Sequence, residues 1–285
     1  MSADRLGITT PIVTLNPKGH GAWEERATPD DLAAIARCVD DLGYHHLTCS
    51  EHVAVPVAAA ATRGATYWDP LSTLSWLAAH TTRIGLATHV VVTGYHHPLE
   101  IVKRYGTLDR LSGGRVTLGV GVGSLAEEFG LLGAEFAGRG DAADRWIDQV
   151  RSAWGHGEVD GFVISPTSDR TDVDVWVGGR TRRSLRRAVE HGTGWAPFGM
   201  SPDQLGAALA DVDLPDGFEV VGWAYGLDPM GAPAEATDRV HAMFGLGSTL
   251  VNVRFTSRSA VQWCEQAAAM ADLVSAGRPA RPATG

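Results

Sequence analysis

Two hydrophobic patterns alternate along this chain. Eight short runs are apolar and rich in β-branched residues, without an alternation of polar and apolar positions. This pattern predicts strands that are buried on both faces, as in a parallel sheet. The strands are predicted at 7–15, 45–51, 84–92, 116–122, 173–178, 194–198, 219–226 and 249–255.

Between these runs, longer stretches repeat apolar residues at helical spacing. The stretch 28–42 shows the end signals most fully, because Thr28 is a capping residue, Pro29 takes the first helical position and Gly43 follows the last turn. Helices are predicted at 28–42, 70–80, 98–111, 139–154, 181–191, 202–210, 233–244 and 258–274.

Strands and helices that alternate about eight times predict an α/β fold of the (β/α)8 TIM-barrel type. A doubly wound sheet is the structural alternative, but it requires a phosphate-binding glycine turn after the first strand, and residues 15–21 do not form one. A single domain is predicted over 1–275. The last residues, 276–285, are rich in Pro, Gly and Ala and are predicted to be a flexible tail.

Composition narrows the class of protein. With 44% hydrophobic and 20% charged residues, the 285-residue chain can form a sizeable core, which excludes a disordered protein. A net charge of −9 argues against nucleic acid or a membrane surface as a partner. The longest apolar run, 53–61, contains Pro56 and is far shorter than the roughly 20 residues that span a bilayer. Three widely spaced cysteines predict no disulfide framework, and a cytoplasmic protein is expected.

The pair Glu51-His52 closes the second predicted strand, at the end of the barrel where catalytic residues lie. A histidine there can act as an acid or a base, and a neighbouring carboxylate can tune it. An ordinary pair at the end of a strand explains the same residues equally well. Adjacent histidines such as His45-His46 and His96-His97 point to opposite faces of a strand, so neither pair is expected to chelate a metal. A site with one histidine from each of several strand ends is the alternative, but no metal is predicted.

Glycines end the fourth and fifth predicted strands. Gly119, Gly121 and Gly123 alternate before Ser124, and they either offer a bare strip of backbone to a flat ring or relieve crowding in the barrel. The run 178–181, Gly-Gly-Arg-Thr, opens a helix whose backbone N–H groups can bind an anion. This region holds five arginines, Arg180, Arg182, Arg183, Arg186 and Arg187. Arg180 and Arg183 are expected close enough to meet the anion, whereas Arg186 and Arg187 are not.

The stretch 98–123, PLEIVKRYGTLDRLSGGRVTLGVGVG, resembles the luciferase-like monooxygenase superfamily, in which LDRLSGGR leads into a G-x-G-x-G strand. The acid-His step at Glu51-His52 is similar to the family's step after strand two. So are the positions of Glu127-Glu128-Phe129 with Arg139, of Gly178-Gly179 and of Gly194-Trp195. The resemblance covers roughly 7–260, and the length and order of segments are most similar to the coenzyme F420-dependent oxidoreductases.

This resemblance implies a (β/α)8 barrel, commonly a homodimer, that moves a hydride between the deazaflavin F420 and a small organic substrate. It places His52, with Glu51, at the position beside the ring where acid–base chemistry occurs. It also implies that a bulge in the third strand, often with a non-proline cis peptide, supports the ring. The implied cofactor-binding residues are Thr88, His89, Gly121, Val122, Gly123, Ser124, Gly178, Gly179, Arg180 and Thr181.

Three positions depart from the family pattern. Ser124 stands where some members have a glutamate, Tyr95 and His96 occupy a stretch that commonly holds an arginine, and Thr193 replaces an aspartate. An FMN-dependent monooxygenase on the same barrel and a non-catalytic barrel that binds a flavin-like ligand are therefore alternatives. The substrate-selecting loops, 17–27, 53–68 and 156–172, carry no signature that names the substrate.

Overall fold

The computed structural model describes residues 3–276, and its regular elements follow the predicted alternation. The strands in this range are β1 Leu6–Ile8, β2 His46–Cys49, β3 Gly85–Thr88, β4 Val91–Val92, β5 Val116–Gly121, β6 Glu158–Val159, β7 Phe162–Val163, β8 Asp174–Gly178, β9 Gly194–Ala196, β10 Glu219–Leu227 and β11 Leu250–Phe255. The α-helices are α1 Pro29–Asp41, α2 Val57–Arg63, α3 Pro70–His80, α4 Pro98–Ser112, α5 Ala126–Leu131, α6 Arg139–Ala153, α7 Arg182–His191, α8 Pro202–Leu209, α9 Pro233–Gly245 and α10 Ala260–Ala276.

Eight strands close a parallel barrel. The strands β1, β2, β3, β5, β8, β9, β10 and β11 each pair in parallel with the next, and β11 pairs with β1. Strand β4 continues the third barrel strand and pairs with β5, while β6 and β7 form a separate hairpin. The predicted (β/α)8 barrel is confirmed.

Two strands differ from their prediction in a physically informative way. Strand β1 ends at Ile8, far short of the predicted 15, because the chain then turns out of the sheet and Ile12 adopts a positive φ of 76°. The third strand is interrupted by a cis peptide bond between His89 and Val90. The eight predicted helices end within two residues of the observed ones, whereas the short helices α2 and α5 and the β6–β7 hairpin were not predicted.

The apolar core has two parts. The larger part lies between the strands and the helices and includes the fully buried Trp154, Trp195 and Trp263. A smaller cluster, Ala87, Trp176, Ala196, Val221 and Leu250, comes from alternating positions on the strands and fills the barrel interior. A ligand therefore has to bind above this plug, at the carboxyl ends of the strands, which we call the mouth.

At the opposite end, which we call the base, two buried aspartates fix the starts of strands. Asp40 accepts hydrogen bonds from the backbone N–H groups of Thr82, Arg83 and Ile84, at 2.6 to 2.8 Å. Asp109, in the LDRLSGGR run, accepts from the N–H of Val116 at 3.0 Å. Asp109 of the LDRLSGGR run thus has a structural role at the base of the barrel.

None of the helices between residues 3 and 276 combines the length and apolar character needed to cross a bilayer. Of the predicted tail, 276–285, only Ala276 is described, as the last residue of α10. The rest of that prediction lies outside the described residues.

Candidate active site

His52 lies at the mouth, where the loop after β2 meets helix α5. Its Nδ1 is 2.7 Å from Oε2 of Glu128, and its side chain keeps 16% of its surface accessible. The other carboxylate oxygen of Glu128 accepts the backbone N–H groups of Val53 and Ala54 at 2.7 and 3.1 Å. Because a carboxylate can only accept, Nδ1 carries the proton, and Nε2 is the ring atom left to accept one.

Glu51 has a different partner from the one that its position beside His52 suggests. Its Oε1 lies 2.7 Å from Nε2 of His96, and its Oε2 accepts the N–H of Val92 at 2.7 Å. The structure therefore contains two separate histidine–carboxylate pairs, His52 with Glu128 and His96 with Glu51. Glu51 holds the loop after the third strand, and the carboxylate that tunes His52 comes from 76 residues further along the chain.

In each pair, the pKa of one member is shifted toward its charged form. Burial acts to raise the pKa of Glu128, but the hydrogen bonds from His52 and the backbone of Ala54 outweigh it and hold that pKa below its usual value. Burial acts to lower the pKa of His96, but the bond to Glu51 outweighs it and raises that pKa. Glu128 is therefore ionised at neutral pH and can orient His52 by accepting its proton.

Tyr67 covers one side of His52. The two rings meet edge to face with 4.6 Å between their centroids, and the Tyr67 hydroxyl donates to the Arg63 carbonyl at 2.9 Å. Arg63 in turn donates to the hydroxyl of Ser124 at 3.1 Å. Ser124, where some relatives have an acid, thus ties the end of β5 to helix α2.

The cis peptide bond brings Val90 over the ends of β5 and β8. A methyl group added at Gly121 would lie 2.6 Å from Val90 Cγ2, and one added at Gly178 would lie 2.9 Å from Val90 Cγ1. The two glycines therefore make room for Val90, which presents an apolar floor at the mouth. The predicted bulge at Thr88-His89 and the predicted contacts at Gly121 and Gly178 are brought together at this one residue.

The glycines of β5 do not form an open strip. A side chain at Gly119 would run into the Thr88 carbonyl, and one at Gly123 would lie 2.5 Å from the Phe129 ring. The alternating glycines accommodate the protein's own atoms, which corresponds to the relief of crowding considered above. Direct ring contacts by Gly121, Val122 and Gly123 remain a prediction.

Thr88 and His89 occupy different environments. The buried Thr88 hydroxyl donates to the Gly119 carbonyl at 2.7 Å, so it stabilises the bulge. Burial lowers the pKa of His89 to about 4, although part of the residue stays accessible. Its imidazole is therefore neutral at physiological pH, and its carbonyl accepts the Ser50 hydroxyl at 2.9 Å.

The turn at 178–181 leads into α7 as predicted. Thr181 and Ser184 form a capping box, in which each side chain accepts the other's backbone N–H at 3.1 Å. Gly179 has a φ of 144°, and a Cβ there would lie 2.5 Å from Ser184 Cβ. The N–H groups of the first turn that the box does not use are left for an anion.

The arginines of this region divide into two groups. Arg183 and Arg187 form ion pairs with Asp141 and Asp144 of α6. Arg183 therefore serves helix packing, and the expectation that it lies near the anion is replaced by this ion pair. Arg180 is exposed and forms no ion pair with the described residues, and with Thr181 it lines a groove of about 470 Å3 between α7 and α8.

Two of the departures from the family pattern take structural roles. The Thr193 hydroxyl accepts the N–H of Val175 at 2.9 Å and so ties β8 to the start of β9. Tyr95 packs edge to face on Phe129, with 4.9 Å between ring centroids, and burial raises the pKa of its hydroxyl. Tyr95 therefore stays protonated and uncharged beside the two carboxylates.

Sequence reasoning missed three residues of the mouth: Glu128 as the partner of His52, His96 as the partner of Glu51, and Val90 as the floor. The sequence does carry a signal for Glu128, since the acid-acid-Phe run at 127–129 belongs to the family pattern. Within the described part of the chain, no three His, Cys, Asp or Glu side chains gather into a group that could hold a metal ion.

Comparisons with known proteins agree with this architecture. The family model described as luciferase-like monooxygenase matches residues 5–214. An uncharacterised protein of Mycobacterium tuberculosis is 28% identical over 201 residues, which is 62% of this chain and 68% of that protein. The 4-hydroxyprotoasukamycin monooxygenase of Streptomyces nodosus subsp. asukaensis is 29% identical over 187 residues, or 64% of this chain and 46% of that enzyme.

Among solved structures, an F420-dependent secondary alcohol dehydrogenase in complex with an F420-acetone adduct superimposes with a TM-score of 0.69. The match covers 96% of this chain and 99% of the dehydrogenase at 12% identity, so it shows a shared fold. The fold is a (β/α)8 barrel with two histidine–carboxylate pairs at its mouth. The chain belongs to the luciferase-like monooxygenase family.

Proposed function

We propose that this protein is a coenzyme F420-dependent oxidoreductase that transfers a hydride between the deazaflavin and a small organic substrate. The observation that carries the proposal is the placement of Val90. Its side chain lies against Gly121 and Gly178, and its carbonyl accepts the N–H of Glu51 at 3.3 Å. Val90 thus joins three features of the proposed site. Its side chain is the apolar floor, it contacts Gly178 at the start of the anion turn, and it bonds to Glu51, which precedes His52.

The residues at the mouth fit a flat ring that carries a phosphate. Val90 and the adjoining His89 peptide would support the ring, and the N–H groups that follow Gly179, with Arg180 and Thr181, would hold the phosphate. When bound, F420 supplies a ring that accepts or donates a hydride. Because Gly178 both touches Val90 and begins the anion turn, the two contacts lie next to each other along the chain.

His52 would manage the proton that accompanies the hydride. Glu128 fixes the tautomer by accepting the Nδ1 proton, so Nε2 is the atom that takes a proton from a substrate hydroxyl or returns one to a carbonyl. The carboxylate also stabilises the imidazolium that forms. Tyr67 limits the positions of the ring and shields it from water on one side.

An FMN-dependent monooxygenase is the second candidate. It is favoured by the 29% identity to a protein named as a monooxygenase. The F420 hypothesis draws its support from the order of segments and from Arg180 beside the anion turn, which forms no ion pair within residues 3–276. A non-catalytic barrel is the third hypothesis, and it predicts that the protein binds a flavin-like ligand without turnover.

Parallel fluorescence titrations with F420 and FMN test the choice. We expect F420 to bind more tightly, and we expect bound F420 to be reduced or oxidised when alcohols and carbonyl compounds are screened. Submicromolar FMN binding without F420 binding would overturn the proposal and favour the monooxygenase. Tight binding of F420 with no hydride transfer to any substrate of the screen would favour the non-catalytic barrel.

A further inference from the structure

We propose that the buried ion pair between Glu24 and Arg254 is a positioning device for His52. It acts through the loop 9–27, which follows β1, and through Tyr67. The inference rests on the proposed role of His52 and adds residues that lie on other elements. Neither Glu24 nor Arg254 touches His52, so both are positioning residues rather than catalytic ones.

The ion pair ties the loop to the last strand of the barrel. Glu24 and Arg254 are 5% and 8% exposed, and one guanidinium nitrogen of Arg254 lies 2.8 and 2.5 Å from the two Glu24 oxygens. Arg254 also donates from Nε to the Gly19 carbonyl at 3.0 Å. Arg254 belongs to β11, so the loop is held by a rigid element.

The Glu24 carboxylate binds two separate parts of this loop, one at Ile12 and one at Gly21. One of its oxygens accepts the N–H of Ile12 at 2.8 Å, and the other accepts the N–H of Gly21 at 2.7 Å. With Arg254, every hydrogen bond that the carboxylate accepts comes from the loop or from the strand that anchors it. A buried ion pair is a costly way to gain stability, because both charges lose water. Its value here is that it defines one geometry for the loop.

Ile12 has a backbone conformation that isoleucine disfavours, so other contacts must hold the loop in it. Its φ of 76° lies in the left-handed region, where a β-branched residue is a genuine outlier, and the residue is only 2% exposed. Such a conformation persists only where the surroundings determine it, and it is concentrated at functional sites. The Glu24 carboxylate, which receives the Ile12 N–H, is the group that holds it.

The held loop supports Tyr67 directly. Thr14 forms an antiparallel bridge with Tyr67, the N–H of Leu15 donates to the Thr66 carbonyl at 3.2 Å, and the N–H of Trp68 donates to the Val13 carbonyl at 2.9 Å. Tyr67 then packs on His52 with 4.6 Å between ring centroids. Only one residue separates Ile12 from Thr14, so a change at Ile12 reaches Tyr67 through backbone contacts.

The test measures the accessibility of His52 without using activity. Diethyl pyrocarbonate modifies accessible imidazoles, and peptide mass spectrometry gives the rate for His52 alone. Glu24→Gln exchanges a charged hydrogen-bond network for a neutral one, so we expect His52 to be modified about fivefold faster. Asp109→Asn is the matched control, because it removes the charge of an equally buried acid that is paired with an arginine at the base of the barrel. We expect no change in that variant.

A double-mutant cycle decides whether Tyr67 carries the effect. Tyr67→Ala should itself expose His52, and adding Glu24→Gln should then give no further acceleration. Arg254→Lys keeps the charge but loses the fork of donors, so it should act like Glu24→Gln and provides a second route if that variant does not fold. Unchanged modification rates in the folded variants, equal acceleration in Asp109→Asn, or additive effects in the cycle would each overturn the inference. Failure of the proposed function would appear separately, as a lack of F420 binding or of hydride transfer in the parent protein, and failure of the acid–base role of His52 would appear as normal turnover in His52→Ala.

Discussion

The mouth and the base of the barrel both bury carboxylates, but they give them different partners. At the mouth, Glu51 and Glu128 face histidines at 2.7 Å. At the base, Asp40 accepts backbone N–H groups, and Asp109 accepts Arg170 and the Ser168 hydroxyl at 2.8 and 2.6 Å. Acids of the base are thus paired with groups of fixed protonation state, whereas Glu51 and Glu128 are paired with imidazoles, which can take up or release a proton.

This difference separates the carboxylates that stabilise the barrel from those that can take part in proton transfer. A carboxylate saturated by backbone N–H groups or a guanidinium has no proton to exchange, so it can only fix geometry. A carboxylate beside an imidazole can stabilise the imidazole's charged form and so assist proton transfer. Substitutions at the mouth should therefore change rates, and substitutions at the base should change stability.

His52→Ala should give the largest effect. If His52 transfers the proton, turnover should fall by about 10²- to 10⁴-fold, while cofactor affinity should change much less. Steady-state kinetics and a fluorescence titration on the same variant measure both quantities. His241→Ala, on the exposed side of α9, is the control and should leave both unchanged. Normal turnover at saturating cofactor together with collapsed affinity would instead make His52 a ring-binding residue.

The sequence predicts a contact in these two regions well when the two residues lie close together along the chain, and poorly when they lie far apart. The helix that begins after Thr28 was predicted with its end signals, and the structure shows a full capping box between Thr28 and Asp31. The turn at 178–181 before α7 is also local and lies where it is predicted, while its binding of an anion stays a prediction. In contrast, the His52–Glu128 pair joins positions 76 residues apart, and the adjacent Glu51 was the more obvious candidate. Local geometry can be inferred from spacing, but the pairing of side chains across a barrel depends on the closed fold.

The mouth glycines illustrate the same limit. Their spacing is visible in the sequence, but the atoms that fill the space beside them come from Thr88, Val90 and Phe129. The cis peptide that brings Val90 there leaves no pattern of its own in residues 84–92 and was suggested only by the resemblance. The elements of this barrel are therefore predictable from local patterns, and the packing at their ends is not.

Asp109→Asn should give the largest loss of stability. Removing the charge of a buried acid that faces an arginine costs about 3 kcal/mol, at the low end of such values because Arg170 keeps 31% of its side-chain surface accessible. Urea unfolding should show this loss, while turnover per folded molecule stays unchanged. A marked fall in turnover of the folded variant would contradict the division of roles between base and mouth.

Arg180→Glu should weaken cofactor binding by about tenfold to a hundredfold, since a charged hydrogen bond is lost and a repulsion is gained. This substitution tests the anion turn better than one at Gly179, where any Cβ would displace the capping Ser184. Arg145→Glu makes the same charge change on the exposed side of α6, and the titration of that variant should match the parent. Equal weakening in both variants would show a general charge effect and no local site.

The smallest expected effect is a pH dependence of the unfolding free energy that comes from Glu128 at the mouth. The pKa of Glu128 is held below its ordinary value of 4.5, so its hydrogen bonds stabilise the folded state above that pH and are lost as the pH falls through the lower, folded-state value. Glu128→Gln cannot titrate. The difference in unfolding free energy between parent and Glu128→Gln should therefore shrink as the pH falls below 4.5. Urea unfolding at a series of pH values measures this difference, with the exposed neighbour Glu127→Gln as the control. A difference that stays constant down to the acid unfolding transition would show that Glu128 is not held in its charged form, and the orientation of His52 would then need another cause.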